Sequence, residues 1–273
     1  MSVDRQVEFN PIINKTEAPK IVIAGQADTF NSEKHPDWNE DAFFLNKRCL
    51  AVFDGVGGVD GGKIASNNAK NYLETIIEKI PINLTNKKAS FLMTNMLKDM
   101  NKQIRTGATT ATIGIIYYDE TKIPRVVIGH VGDSRLYINR EGKIHKVTKD
   151  DSPKIPQQVQ EIFDTADPYK PLHPKLKVFF NERNVIGQSL GKEFKKPYVN
   201  IYQIKPEDRI IATSDGIHDN LVNQEIQKIV CTSKNPAQDL VQLAIKRSHE
   251  KDISYRAKKD DMTAVVLKVS KAP

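Results

Sequence analysis

Apolar residues recur along this chain with two different periods, and the changes of period divide it into strands and helices. Residues 20–24 (KIVIA) make a short strand ended by Gly25, and the polar stretch QADTFNSEKHPDWNED then predicts a loop. That loop leads through Asn39, Glu40 and Asp41 into a second strand at 42–45. The run LAVF at 50–53 reads as a buried strand with Asp54 at its tip. Helical spacing takes over at 62–80, where Ile64, Ala65, Ala69, Tyr72, Leu73, Ile76, Ile77 and Ile80 share one stripe and Pro81 ends the run. A second amphipathic helix is predicted at 89–105 with Leu92, Met93, Met96, Leu97, Met100 and Ile104 inward, closed by Gly107. Methionines at that spacing fill cores.

The pattern then returns to strands at 109–118, 125–131, 134–139 and 143–147, an antiparallel meander with turns near Asp119 and Gly142. Residues 152–183 are rich in proline and charge and lack periodicity, which predicts an inserted, flap-like surface segment. Strands at 198–204 and 209–213 follow, the latter running into Ser214-Asp215-Gly216. Two helices are predicted at 223–230 and 236–249. A basic loop, YRAKKDD, then delivers Asp260 and Asp261 to a final strand at 262–269, whereas residues 1–19 are poorly patterned.

The chain has 273 residues, 39% hydrophobic and 27% charged, a balance that supports one globular domain over residues 1–273. Cys49 and Cys231 lie far apart with no second thiol or histidine pair nearby, so neither a disulfide framework nor a zinc site is indicated. The charged N-terminus and the lack of a long apolar run predict a cytoplasmic protein with no membrane span. A formal charge of +7 suits attraction of phosphate-bearing partners. Without an arginine-rich run or a basic stripe interleaved with aromatics, nucleic acid is excluded as a partner.

Carboxylates recur where strands begin or end: Glu40, Asp41, Asp54, Asp133, Asp215, Asp260 and Asp261. Unpaired buried carboxylates are strongly disfavoured, so convergent ones call for cations between them. Glycines after Asp54 let the backbone approach an ion, so that the carbonyl of Gly55 joins the Asp54 side chain as a ligand. Oxygen donors of this kind suit Mg²⁺ or Mn²⁺. Two ions sharing Asp54 would activate a bridging water and clamp a phosphoryl group, giving phosphate-ester hydrolysis without a protein nucleophile.

The ordered pieces NEDAFF (39–44), VFDGVGG (52–58), TGATTA (106–111), HVGDSRLY (130–137), VTKDDS (147–152), NVIGQSLG (184–191), IATSDGIHDNL (211–221) and DDMT (260–263) give the chain its likeness. It resembles the PPM/PP2C family of metal-dependent protein serine/threonine phosphatases, bacterial type, from about residue 25 to 269. The resemblance implies an α+β fold of four αββα layers and a signalling enzyme acting, as a monomer, on phosphorylated proteins. It further implies that Asp54 bridges two Mg²⁺ or Mn²⁺ ions, that the Gly55 carbonyl binds one, and that Asp215 and Asp260 bind the other. Glu40 and Asp41 would hold metal-bound waters, and Asp133 would join Asp215 at a third, weaker ion.

Two positions depart from the family pattern. Pro36 stands where an arginine usually grips the substrate phosphate, leaving Lys34 and His35 as the nearest candidates for phosphate binding. Val56 stands where some members carry a histidine proposed as a proton donor, which points to a bacterial-type enzyme. Residues 57–63 (GGVDGGK) approach a nucleotide-binding loop, but Ile64 has no hydroxyl for Mg²⁺, and the third glycine of a dinucleotide fingerprint is replaced by Asp60. The remaining alternative is a catalytically silent scaffold on the same fold, and it is disfavoured because every expected metal position carries its aspartate.

Overall fold

The computed structural model describes residues 5–8, 21–56 and 61–272. In chain order the first half comprises β1 (Arg5–Glu8), β2 (Ile21–Phe30), β3 (Ala42–Asn46), β4 (Cys49–Phe53), β5 (Gly55–Val56), α1 (Gly61–Ile76), α2 (Asn86–Gln103), β6 (Ala108–Thr109), β7 (Ala111–Tyr118), β8 (Pro124–Val131), β9 (Arg135–Arg140) and β10 (Lys143–Lys146). The second half comprises α3 (Gln157–Thr165), α4 (Pro174–Asn181), β11 (Tyr198–Gln203), β12 (Arg209–Thr213), α5 (Asp215–His218), α6 (Asn223–Thr232), α7 (Pro236–Ser248) and β13 (Met262–Lys271).

A six-stranded sheet in the order β1-β2-β13-β12-β9-β10 faces a five-stranded sheet in the order β11-β8-β7-β4-β3, and all their pairings are antiparallel. Alternation along the strands builds three apolar layers. Leu50 and Val52 of β4, Ile210 and Ala212 of β12, and Val265 and Leu267 of β13 meet between the sheets. The intervening Cys49, Ala51 and Phe53 pack on α1 and α2 through Leu73, Met93 and Leu97. Ile211, Ala264 and Val266 pack on α6 and α7 through Ile226, Leu240 and Val241. A strand covered on both faces reads as an unbroken apolar run, which is why LAVF shows no alternation. The expected four-layer α+β architecture is therefore present.

Two expectations are corrected. The strand expected at 20–24 continues to Phe30, because β13 pairs with it from Ile21↔Lys271 to Phe30↔Met262. Gly25 lies inside it rather than ending it: a Cβ there would stand 2.8 Å from Leu45 Cδ1, so the absent side chain makes room for the facing sheet. The segment 152–183 is not irregular. Its helices α3 and α4 bury Phe163 and Phe180 with Ile155 around Tyr255. Arg135 fastens it to the body through Asp150 (2.6 Å) and Asp164 (2.8 Å). The stretch 57–60, on which the nucleotide-loop comparisons rest, lies outside the described residues, as does most of 1–19.

Candidate active site

The tip of β4 is held chiefly through its backbone and not through the Asp54 side chain. The Asp54 amide donates to Thr110 Oγ1 (3.0 Å), and its carbonyl accepts from the Thr110 amide (2.8 Å) and Thr109 Oγ1 (2.9 Å). Thr110 Oγ1 also bonds Ser134 Oγ (2.7 Å), tying β4 to the turn that carries Asp133. That turn needs Gly132, whose φ is +102° and whose Cβ would meet Thr110 Cγ2 at 2.6 Å. Asp151 fastens it from the other side, Oδ2 accepting from the Gly132 amide (2.9 Å). At the start of α5 the Asp215 amide donates to Asp54 Oδ2 (3.4 Å).

Beside this tip the backbone of Gly55 presses against the first turn of α1. A Cβ on Gly55 would stand 2.5 Å from the Gly62 carbonyl carbon, so no other residue fits there. A Cβ on Gly62 would lie 3.1 Å from both Glu40 Oε1 and the Gly55 carbonyl oxygen, which places these two oxygens in one small cradle. Asp261 anchors the loop before β3, accepting from the Ser32 amide through Oδ1 (2.6 Å) and from the Glu40 amide through Oδ2 (2.6 Å). It thus serves as a clamp, and Asp260 is the member of the pair that faces the cluster.

Asp54, Asp41 and Asp133 are held well above the usual carboxylate range, first by burial and then by neighbouring carboxylates: Asp41, Asp215, Asp133 and Asp260 act on Asp54, Asp261 and Asp260 on Asp41, and Asp215 on Asp133. Asp215 is pushed up to about 6, chiefly by burial and against the pull of Lys258. Burial also raises Glu40. Glu40 Oε1 and Asp41 Oδ2 are buried without hydrogen-bond partners. An all-oxygen donor set with orphaned carboxylate atoms and electrostatic strain of one sign fits a hard divalent cation. Among the described residues, no three His, Cys, Asp or Glu side chains stand ready-made as an ion cage. The cluster is instead organised around Lys258, whose Nζ donates to Asp215 and Asp219 (2.9 Å) and forms an ion pair with Asp260 (3.0 Å). These carboxylates hold the ammonium pKa well above the usual lysine value despite its burial.

Sequence reasoning passed over Lys258 and Asp219 because YRAKKDD reads as a basic loop. The signal was the spacing: Lys258 and Asp260 turn inward to the cluster, whereas Lys259 between them pairs with exposed Glu33. Of the phosphate-binding candidates, Lys34 is exposed, while His35 stacks on Trp38 with centroids 5.3 Å apart and bonds the Trp38 carbonyl through Nδ1 (3.1 Å). His218 is buried, bonded to Thr213 Oγ1 (3.0 Å) and shifted well below the usual histidine range by burial, as a structural residue would be.

Residues 28–160 match the family described as Protein phosphatase 2C. Over that stretch the chain is similar to the family. A Mycoplasma genitalium protein provisionally named a protein phosphatase is 26% identical over 257 residues, covering 88% of this chain and 91% of that one. The serine/threonine protein phosphatase PstP of Mycobacterium tuberculosis is 26% identical over 216 residues, 76% of this chain but 39% of the longer relative. Among solved structures, Staphylococcus aureus Stp1 matches with a TM-score of 0.69 at 23% identity, covering 94% of this chain and 99% of Stp1. The catalytic domain of PstP in complex with two manganese ions matches with a TM-score of 0.64 at 23% identity, covering 92% and 99%. These likenesses extend the shared protein phosphatase 2C fold well past residue 160.

Proposed function

We propose that this protein is a metal-dependent phosphatase that removes phosphate from phosphoserine and phosphothreonine of other proteins. The observation that carries this reading is the convergence of Asp41, Asp54, Asp133, Asp215 and Asp260 from separate elements on one buried point, with neighbouring oxygens left unpartnered. The names of the relatives and the two manganese ions bound to PstP support it. Asp54 with the Gly55 carbonyl would hold one Mg²⁺ or Mn²⁺, and Asp54 with Asp215 and Asp260 a second. When bound, such ions activate water and neutralise the phosphoryl group under attack.

The chain's own residues supply the rest. Glu40 Oε1 and Asp41 Oδ2, buried without partners, would accept from a water and orient it for attack. The backbone lock on Asp54 and the Gly55–Gly62 contact keep these groups in position, which is the contribution preorganisation makes to rate. Lys34, exposed on the loop that Asp261 clamps, is the candidate contact for substrate phosphate. A cleft of about 500 Å³ beside β5, lined by Val56, Arg105, Gly107 and Lys192, would receive the polypeptide around the phosphoresidue. Cytoplasmic signalling by a monomer belongs to the same reading. It is consistent with the free thiols of Cys49 and Cys231 and with the lack, among the described residues, of a helix long and apolar enough to cross a membrane.

Release of phosphate from a phosphothreonine peptide, followed with Mn²⁺ and then with excess EDTA, tests the proposal. Turnover should require the metal, and Lys34→Ala should raise KM with little change in kcat. Metal-independent turnover, or none under any condition, would refute the reading.

A further inference from the structure

Lys258 brings a positive charge into the middle of the cluster, and it is built in rather than swept in by a flexible stem. Its side chain is 9% exposed. Asn220, itself fully buried, fixes the Lys258 backbone from both sides: Asn220 Oδ1 accepts from the Lys258 amide (3.0 Å) and Nδ2 donates to the Lys258 carbonyl (2.9 Å). Nδ2 also donates to the carbonyl of Gly216 (2.8 Å), next to Asp215, so ammonium and carboxylate are positioned by one side chain. The ammonium donates to Oδ2 of Asp215 and of Asp219 and stands in an ion pair with Oδ2 of Asp260. Asp133 also feels the Lys258 charge, and Asp219 is shared with Arg183 (2.9 Å).

The pair Asp133 and Asp215 is where the family resemblance implies a third, weaker ion. We propose that the Lys258 ammonium is a tethered cation filling that third position, so that the site takes up two divalent ions and not three. The inference rests on the two-ion reading above. A divalent cation entering between Asp133, Asp215 and Asp219 would meet a fixed like charge and would find the Oδ2 atoms of Asp215 and Asp219 already bonded. A single charge in place of a double one leaves this side of the cluster more negative, and Asp215 Oδ1 remains available to the second ion, whereas Asp260 Oδ1 already accepts from the Asp261 amide (3.0 Å).

The number of ions bound can be read without any assay of activity. Equilibrium dialysis of the full chain against millimolar Mn²⁺, with metal and protein both quantified, should give two ions for the unaltered protein. Lys258→Met, which keeps the length and removes the charge, should bind one more, and Lys258→Arg should return the number to two. Three ions on the unaltered protein, or the same number on Lys258→Met as on the unaltered protein, would overturn the proposal, and the first of these needs no variant to fold. No bound Mn²⁺ on either protein would instead remove the metal reading on which it rests.

Discussion

At the scale of single residues the site depends on groups that touch backbone as much as on those that face the cluster. Asp261 accepts two main-chain amides, and hydrogen bonds to a charged acceptor contribute roughly 1.5–3 kcal/mol each. Asp261→Ala should therefore cost about 3 kcal/mol or more in chemical denaturation, and Asp261→Asn, which keeps one acceptor, about half that; a loss below about 0.5 kcal/mol for the alanine variant would contradict the clamp. The raised carboxylates make a second prediction. Asp215 titrates near 6 in the folded protein, against about 4 in an unfolded chain, so its contribution to metal-free stability is present below about 4 and lost as pH rises through about 6. A divalent ion must displace those protons, so the Tm increase produced by Mn²⁺ should be small at pH 5 and grow up to pH 7. A Mn²⁺ shift that is flat over this range would argue against ion binding at these carboxylates.

At the scale of elements, strands and long helices were legible because each buries a stripe with its own period. Residues 50–53, 209–213 and 262–269 were readable as strands, and α1, α2, α6 and α7 by their stripes, with ends displaced by a few residues. What escaped was set by partners distant in sequence. The polar run QADTF becomes strand because β13 offers it a full ladder, and α3 and α4 exist because Phe163 and Phe180 find Tyr255 and Arg256 from beyond residue 250. Phe180→Ala should accordingly loosen 157–181 selectively, seen as faster amide exchange there while α1 and α2 keep their protection. Uniform loss of protection across the molecule would show instead that the segment is a cooperative part of the sandwich.

At the scale of the whole molecule, the sandwich gathers the end of β4, the β8–β9 turn, the start of α5 and the approach to β13 at one edge. The carboxylates marked in the sequence by their place at strand ends are brought together there, because adjacent and facing strands end together. Their separate roles were not legible. That Asp261 clamps while Asp260 faces the cluster, and that Lys258 joins it, follows from which way a short extended segment turns. The whole chain carries a net charge of +7 even with the acidic cluster counted in, which suits attraction of a phosphate-bearing molecule. Hydrolysis of p-nitrophenyl phosphate across a Mn²⁺ titration, for the unaltered protein and Asp54→Asn side by side, tests the central claim most directly. The account predicts saturable, EDTA-sensitive turnover in the first and a loss of about 100-fold or more in the second, equivalent to roughly 2.7 kcal/mol of barrier. Turnover indifferent to EDTA, or Asp54→Asn retaining more than about a tenth of the rate (a barrier change under ~1.4 kcal/mol), would contradict it.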